Sequence, residues 1–366
     1  MFSRIILCFV LGVFLFTPIY AQEGIEKTLQ AIIADTLEPY GTAAVLQIKT
    51  LESEWIITSG SEDITTDVPT RRQDRFRIGS ISKTFLAVTT LRLVEQRILS
   101  LDEKADRWLS DDLIANLANV EQVTLRQLLS MRSGVPEYLN AIFIAAVKEN
   151  LSRIWTAEDA LVFAYNLPAL FEPDAQFSYS NSNYLLMQLV LESATGKPLH
   201  VLLREYILDP LELTNTYTQI AETQDEEFVH GYSTYFGGND FTDVTAVNDG
   251  AGLGDGALIS NAEDVTSFFR ALLLDQTLLT ESSMRDLLAF QLTDDESQRY
   301  GLGITEWETP WRWAIGHAGG VVGFQSLALL FVEQQVSLVA LIANDAPIID
   351  NDFIATLLDP IMTPSS

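Results

Sequence analysis

The stretch of sequence that decides the fold is Phe76-Arg77-Ile78-Gly79-Ser80-Ile81-Ser82-Lys83-Thr84-Phe85. The apolar spacing from Ser80 to Ile98 predicts a helix, which places Ser80 and Lys83 one turn apart on the same face. A serine at a helix N-terminus lies near free backbone N–H groups and the positive end of the helix dipole. A lysine beside it that is removed from water has a lowered pKa and can act as a base. The pair is therefore a candidate nucleophile and base.

The same spacing has an alternative interpretation, which is an N-cap serine next to a surface lysine. Ser-x-x-Lys alone is a weak signal. However, the chain has only six lysines in 366 residues, and Lys83 is the only one with a serine three positions before it. The scarcity of lysine therefore favours the catalytic interpretation.

The pattern of apolar residues outside this stretch predicts the architecture. Alternation predicts strands over 43–58 (two strands with a turn near 51–53), 312–317, 325–331 and 335–343. Helical spacing covers 26–37, most of 84–290 and 351–362. We therefore predict an α/β protein of the α+β type, with an antiparallel sheet built from both chain ends, flanking helices and an inserted, mostly helical lobe. The sheet lobe is expected at about 22–83 and 300–366, and the helical lobe at about 84–299.

A second polar motif, Tyr179-Ser180-Asn181, stands just before a predicted helix over 184–193. A tyrosine near a lysine can act as a phenolate base, and an asparagine amide can orient a substrate or the lysine. The chain has another Tyr-x-Asn at Tyr138-Leu139-Asn140, directly after a turn. A loop fixed by a helix start is well suited to present polar groups, so the first copy is preferred.

The third motif is His317-Ala318-Gly319-Gly320, close to the end of a predicted strand. His317 is the only one of three histidines that opens a His-x-Gly. Glycine in a strand often marks the close approach of a ligand or another backbone, although a turn with an incidental histidine is the alternative. No His-Glu-x-x-His or similar ligand spacing occurs, so we expect neither a metal site nor a cofactor.

The three motifs, Ser80-x-x-Lys83, Tyr179-x-Asn181 and His317-x-Gly319, resemble in their order and long separations the serine hydrolases of the penicillin-recognising type. This family includes class C β-lactamases, D-alanyl-D-alanine carboxypeptidases, D-aminopeptidases and related esterases. Further segments that resemble the family are 124–136, 210–216, 260–264 and 300–303. The resemblance covers nearly all of 22–366 and implies one hydrolase domain with a β-lactamase/transpeptidase-like fold.

The resemblance implies a role for each residue of the first two motifs. Ser80 is expected to be the acylated nucleophile. Lys83 and Tyr179 are expected to share the proton transfers, with Tyr179 protonating the leaving group. Asn181 is expected to hold either the substrate or Lys83.

The third motif is expected, on the same resemblance, to border the substrate. His317 stands where many relatives carry lysine, and Gly319 is expected to keep the strand edge clear of side chains. The oxyanion hole is expected to consist of the backbone N–H groups of Ser80 and Gly320. Each such donor stabilises the transition state by roughly 3–4 kcal/mol.

The sequence departs from the family pattern in ways that bear on the substrate. Ala318, Gly320 and Val321 stand where a hydroxyl residue would help to bind a substrate carboxylate. Asp174 replaces the usual glycine of a turn before the second motif, a change that aspartate tolerates. We therefore expect an enzyme that resembles a D-alanyl-D-alanine carboxypeptidase or an esterase. The alternatives are a class C-like β-lactamase and a non-catalytic binding protein on the same fold.

The composition excludes several other classes of protein. The net charge of −28 is unsuited to general nucleic-acid binding, and no cluster of lysine and arginine favours an anionic lipid surface. A hydrophobic content of 48% is too high for a disordered acidic chain. The expected partner is a small-molecule or peptide substrate.

The N-terminal residues 1–21 have the pattern of a signal peptide. Arg4 is their only charge, and the apolar run over 5–16 is too short to span a bilayer. Removal of this segment deletes the only cysteine, Cys8, and leaves a net charge of −29. The mature protein is therefore expected to be secreted or periplasmic and to contain no disulfide. An uncleaved N-terminal anchor is the alternative.

Overall fold

A computed structural model describes residues 13–66, 68–222, 228–235 and 241–362. Residues 1–12 of the predicted signal peptide lie outside the described residues. The helices are α1 Val13–Leu37, α2 Ser82–Glu95, α3 Asp111–Asn116, α4 Leu125–Leu129, α5 Ala141–Glu149, α6 Ala157–Leu161, α7 Ser182–Thr195, α8 Leu199–Leu203, α9 Ala262–Leu273, α10 Glu281–Leu287 and α11 Asn351–Leu358. The strands are β1 Ala44–Lys49, β2 Glu54–Ser59, β3 Phe76–Arg77, β4 Tyr217–Thr218, β5 Tyr232–Ser233, β6 Thr242–Asp243, β7 Leu258–Ser260, β8 Gln291–Leu292, β9 Gln298–Tyr300, β10 Thr305–Thr309, β11 Arg312–Val321, β12 Phe324–Phe331 and β13 Val336–Ile342.

The main sheet contains strands from both ends of the chain, in the order β2-β1-β13-β12-β11-β10-β9-β8. Every neighbouring pair is antiparallel, and β1 pairs with β13, so that Leu46 lies opposite Ala340. The predicted antiparallel sheet built from both chain ends is therefore confirmed. Strands β8, β9 and β10 were not predicted, because they are short and rich in polar residues.

The centre of the sheet is buried on both faces. Every residue of β13 is buried, as expected for a strand covered on both sides. Leu338, Ala340 and Ile342 pack toward α1 and α11, whereas Val339 and Leu341 belong to the core on the opposite face, where α9 contacts the sheet. Period-2 alternation thus gives each face of the sheet its own hydrophobic core.

The inserted lobe is less helical than the sequence predicted. Strands β3, β7 and β4 form a small sheet, and β5 pairs with β6. The glycine-rich run over 250–256 forms turns, in which Gly250 and Gly252 have positive φ, a conformation that suits glycine. Asp174 adopts φ +70°, as expected for the residue that replaces a turn glycine. Within the described ranges, no helix is long and apolar enough to cross a membrane.

Candidate active site

Ser80 and Lys83 meet at the start of α2. Ser80 lies in a short 3-10 turn, Gly79–Ile81, which leads directly into the helix, and Lys83 lies in its first turn. Lys83 Nζ donates a hydrogen bond of 2.8 Å to Ser80 Oγ, and the lysine is fully buried. The alternative of a surface lysine is therefore wrong. When Lys83 is neutral, the same contact lets Ser80 donate its proton to Nζ.

Two further acceptors fix the Lys83 ammonium. Nζ donates to Asn181 Oδ1 at 2.8 Å and to the backbone oxygen of Asp255 at 2.7 Å. With Ser80 these acceptors engage the three N–H groups of the ammonium. The ring of Tyr179 lies 5.1 Å from Nζ and that of Tyr184 lies 5.6 Å away. The nitrogen therefore has one defined position beside the nucleophile.

Glu137 determines how Asn181 presents its amide. Glu137 Oε2 accepts hydrogen bonds from Asn181 N at 2.7 Å and from Asn181 Nδ2 at 3.1 Å. Because a carboxylate only accepts, the NH₂ group faces Glu137 and the carbonyl oxygen faces Lys83. Asn181 is the residue before α7, yet its side chain caps no N–H of that helix. Of the two roles expected for Asn181, the geometry favours holding Lys83.

Burial perturbs the carboxyl groups around this lysine. It raises the pKa of Glu137, against the opposing effect of N–H donors from Asn181 and Leu139. It also raises the pKa of Asp255, against the opposing charge of Lys83. Asp255 Oδ2 accepts a hydrogen bond of 2.9 Å from the Tyr138 hydroxyl. Desolvation favours the neutral form of each acid, and hydrogen bonds link Glu137 to Lys83 through Asn181 and Asp255 to Lys83 through its backbone oxygen.

The second Tyr-x-Asn copy has a different use. Asn140 Oδ1 accepts hydrogen bonds from the backbone N–H groups of Ile142 and Phe143 and so caps α5. Tyr138 is buried. Only the copy that contains Asn181 places its amide on Lys83, which agrees with the preference for Tyr179.

Tyr179 lies at the open side of the site. Its side chain is 39% exposed, and its ring is perpendicular to that of Tyr300, with centroids 6.1 Å apart. The ring of His317 lies 6.4 Å from that of Tyr179. The structure thus brings the second and third motifs together beside Ser80.

His317 is a buried, neutral histidine. Its Nδ1 lies 2.5 Å from the Ala318 oxygen, and its Nε2 lies 3.1 Å from the Tyr300 hydroxyl. A carbonyl only accepts, so Nδ1 carries the proton and Nε2 accepts from Tyr300. Burial, with the charge of Lys83, lowers the pKa of His317 to about 3. His317 therefore brings no positive charge to the place where many relatives carry lysine.

The two glycines of the third motif have different surroundings. A Cβ on Gly319 would lie 2.1 Å from the Ile78 oxygen and 2.4 Å from Ser326 Oγ. A Cβ on Gly320 would meet open space, and Gly320 N lies 3.0 Å from the Cβ position of Gly79. Gly319 thus permits close packing of β11 against the segment before the nucleophile, rather than clearing the strand edge. Gly320 borders the open site, as an oxyanion-hole residue should.

Two cavities open on either side of the nucleophile, and Ser80, Tyr179 and Gly320 line both. The smaller has a volume of about 210 Å³ and is also lined by Asn181, Asp249 and Asp255. The larger has a volume of about 640 Å³, and its lining includes Phe177, Tyr300, Trp307, His317, Asp294 and Asp295. A substrate carbonyl beside Ser80 therefore has room for one group on each side.

The site also contains four residues that no sequence motif identifies: Glu137, Asp249, Asp255 and Tyr300. Glu137 and Asp255 are single acids in segments rich in turn residues, and only tertiary structure brings them to Lys83. Tyr300 lies in a segment that resembles the family, but nothing in its sequence neighbourhood indicates a bond to a histidine. No sequence signal would have revealed these contacts.

Comparison with known proteins gives consistent matches. A family model described as Beta-lactamase matches residues 29–358. A D-stereospecific amidohydrolase from Streptomyces sp. has a TM-score of 0.80 and 26% identity, covering 90% of this chain and 97% of that chain. A D-amino acid amidase from Ochrobactrum anthropi SV3, solved with L-phenylalanine amide, has a TM-score of 0.80 and 24% identity. The match covers 92% of this chain and 98% of that chain. Penicillin-binding protein 4* from Bacillus subtilis is 25% identical over 295 residues, which are 77% of this chain but only 63% of that relative.

Proposed function

The chain belongs to the Beta-lactamase family of serine hydrolases, and from this premise we propose that it cleaves an amide or ester bond through an acyl-enzyme on Ser80. Membership confirms the resemblance to penicillin-recognising hydrolases and the fold expected from it. The observation that carries the proposal is the 2.8 Å contact between Ser80 Oγ and the fully buried Lys83. A buried amine in contact with a serine hydroxyl is an arrangement that activates a nucleophile.

The proposed reaction has two steps. In its neutral form, Lys83 accepts the proton of Ser80 on Nζ, and Oγ attacks the carbonyl carbon while the N–H groups of Ser80 and Gly320 bind the developing oxyanion. Tyr179 passes the proton to the leaving group as the bond to it breaks. Water then attacks the acyl-enzyme, with the same groups returning the proton to Ser80. Asn181 keeps Lys83 in place throughout.

The larger cavity bears on which bond is cleaved. A carboxypeptidase or a β-lactamase must bind a substrate carboxylate, which favours a cation. The residues that line the larger cavity in the described part of the chain include Asp294 and Asp295 but no lysine or arginine, and His317 is neutral. These features disfavour a carboxylate on the leaving group. Together with the 26% identity to a D-stereospecific amidohydrolase, they support an amidohydrolase of D-amino-acid derivatives, with ester hydrolysis as a second activity of the same nucleophile.

Trapping the acyl-enzyme tests the proposal. The purified protein is mixed with a p-nitrophenyl ester, a D-amino acid p-nitroanilide and a fluorescent penicillin, and then quenched and weighed intact by mass spectrometry. We expect turnover and an acyl adduct, both lost in Ser80→Ala and both kept in Ser267→Ala, which changes an exposed serine of α9. Turnover that persists unchanged in Ser80→Ala would refute the proposal. A dominant rate on a chromogenic cephalosporin would instead favour the β-lactamase alternative.

We also propose that the protein is exported, to the periplasm or the medium. The support is the charge and apolar pattern of residues 1–21. N-terminal sequencing of the protein recovered from cell fractions tests this directly. A mature N-terminus near residue 22 is expected, and an intact Met1 on protein in the cytoplasm would contradict export.

A further inference from the structure

The smaller cavity beside Ser80 is surrounded by more acidic than basic side chains. Two carboxylates, Asp249 and Asp255, lie in its wall, and Arg77 is the only lysine or arginine among its described lining residues. Glu137 and Lys83 lie just behind the wall, joined through Asn181. The surroundings therefore contain three acids and two bases.

Both cationic side chains, Lys83 and Arg77, already donate hydrogen bonds to acceptors of the protein. All three hydrogen bonds of the Lys83 ammonium go to protein oxygens, as described above. Arg77 uses each of its three nitrogens, with Nε donating to Gln219 Oε1, Nη1 to the Val247 oxygen and Nη2 to the Thr245 oxygen, at 2.8–3.1 Å. Arg77 is also buried, and its guanidinium carbon lies 5.2 Å from the ring centroid of Phe228 and 5.6 Å from that of Phe324. The Lys83 ammonium therefore has no N–H left for a substrate carboxylate, and each nitrogen of Arg77 already donates to the protein.

Asp249 differs from the other acids near the cavity. Its Oδ2 accepts one hydrogen bond, of 3.0 Å, from the backbone N–H of Val322. Over the described residues, no hydrogen bond reaches its Oδ1. Asp255, in contrast, is buried and holds the Tyr138 hydroxyl. Asp249 is partly exposed and therefore has a carboxylate oxygen available to a ligand in the cavity.

The sizes of the two cavities indicate which part of a substrate enters each. The leaving group must depart before water attacks the acyl-enzyme, and the cavity of about 640 Å³ beside Tyr179 and His317 offers the room for this exchange. The cavity of about 210 Å³ is of the order that holds one ring, since about 150 Å³ accommodates benzene. It therefore suits the acyl group.

We propose, on the basis of the function proposed above, that Asp249 binds a protonated amine on the acyl group of the substrate. The substrates are then aminoacyl amides, peptides or esters with a free amino group, and Asp249 determines specificity without taking part in bond cleavage. A charge-assisted hydrogen bond from an ammonium to a carboxylate oxygen is about twice as strong as a neutral one. A substrate whose amino group is acylated or absent cannot form this charge-assisted hydrogen bond.

The test compares two p-nitroanilides of the same shape. One carries D-phenylalanine, and the other carries 3-phenylpropanoate, which lacks only the amino group. For the wild type we expect kcat/KM to favour the amine by at least tenfold, roughly the effect of one lost charge pair. In Asp249→Asn this preference should fall to about twofold, mainly through KM of the amine substrate. The circular dichroism spectrum and the melting temperature, compared with those of the wild type, show that the variant is folded.

A matched control and an inhibitor complete the design. Asp275→Asn changes an exposed aspartate after α9, outside both cavities, and should keep the wild-type preference. Phenethylamine should inhibit p-nitrophenyl acetate hydrolysis better than phenethyl alcohol, and only when Asp249 is present. Equal rates on the two anilides, or a preference that survives Asp249→Asn, would overturn the role of Asp249 and leave the hydrolase intact. Absence of turnover and of any Ser80 adduct with every substrate would overturn the proposed function itself, and this inference with it.

Discussion

His317 makes the folded protein sensitive to acid, and the effect can be calculated. Burial and the charge of Lys83 lower its pKa from 6.5 to about 3 in the folded state, while the unfolded chain keeps the ordinary value. As pH falls, the unfolded state therefore binds the proton first. The contribution of His317 to stability is complete above pH 6.5 and is lost progressively as pH falls toward 3.

The magnitude follows from the width of this window. Each pH unit within it changes the free energy of unfolding by about 1.4 kcal/mol, so that lowering the pH from 7 to 5 costs about 2 kcal/mol. The raised pKa values of Glu137 and Asp255 act in the opposite sense, because their folded forms bind protons before the unfolded chain does. Comparison with a variant at position 317 cancels that opposing contribution.

Urea unfolding of the wild type and His317→Gln, followed by tryptophan fluorescence at pH 7 and pH 5, measures the difference. Glutamine keeps a donor and an acceptor but does not titrate. We expect the wild type to lose about 2 kcal/mol more than the variant on acidification, and the two proteins to keep a constant difference between pH 7 and 8. Equal losses on acidification would refute the assignment of a buried neutral histidine.

The remaining predictions concern the geometry around the nucleophile. Tyr179→Phe should reduce kcat by two to four orders of magnitude, roughly the contribution of one general acid–base group. Tyr138→Phe should reduce kcat by less than tenfold. Equal losses in steady-state assays would mean that Tyr179 is not the acid–base group. Gly319→Ala should lower the melting temperature and abolish acylation, because the added Cβ overlaps a backbone oxygen. Gly320→Ala should keep the wild-type melting temperature, because its Cβ meets open space. A lower melting temperature for Gly320→Ala than for Gly319→Ala would contradict this packing. Glu137→Gln should reduce kcat with little change in KM, because it frees the amide that holds Lys83, and a loss confined to KM would argue against a positioning role.

Much of the fold follows from sequence because its signals are local. Period-2 alternation located β1, β2, β12 and β13, whose residues face two hydrophobic cores. The helix over Ser82–Glu95 and the turn at Asp174 also agree with the pattern. Strands β8–β10 escaped prediction because they gain their structure from successive pairing, β10 with β11, β9 with β10 and β8 with β9, rather than from their own apolar content.

The site was predictable to the extent that its residues belong to motifs. Ser80, Lys83, Tyr179, Asn181 and His317 were all expected, and the structure brings them together. Their environment was not predictable, because it depends on acids that are distant in the chain. The sequence left open whether Asn181 holds the substrate or the lysine, and the contact with a single carboxylate on another loop favours the lysine.

The pairing of the first strand with the last has a consequence for the timing of synthesis. β1 completes the sheet only by bonding to β13, and Ser326 Oγ on β12 bonds to the Ile78 oxygen across 248 positions of chain. Contacts of such long range form late in folding. A nascent chain that ends before β11 carries Ser80 and Lys83 but lacks Gly320, the proposed second donor of the oxyanion hole. Such a chain should therefore be inert, and chains terminated before β11 should contribute nothing to a measured activity.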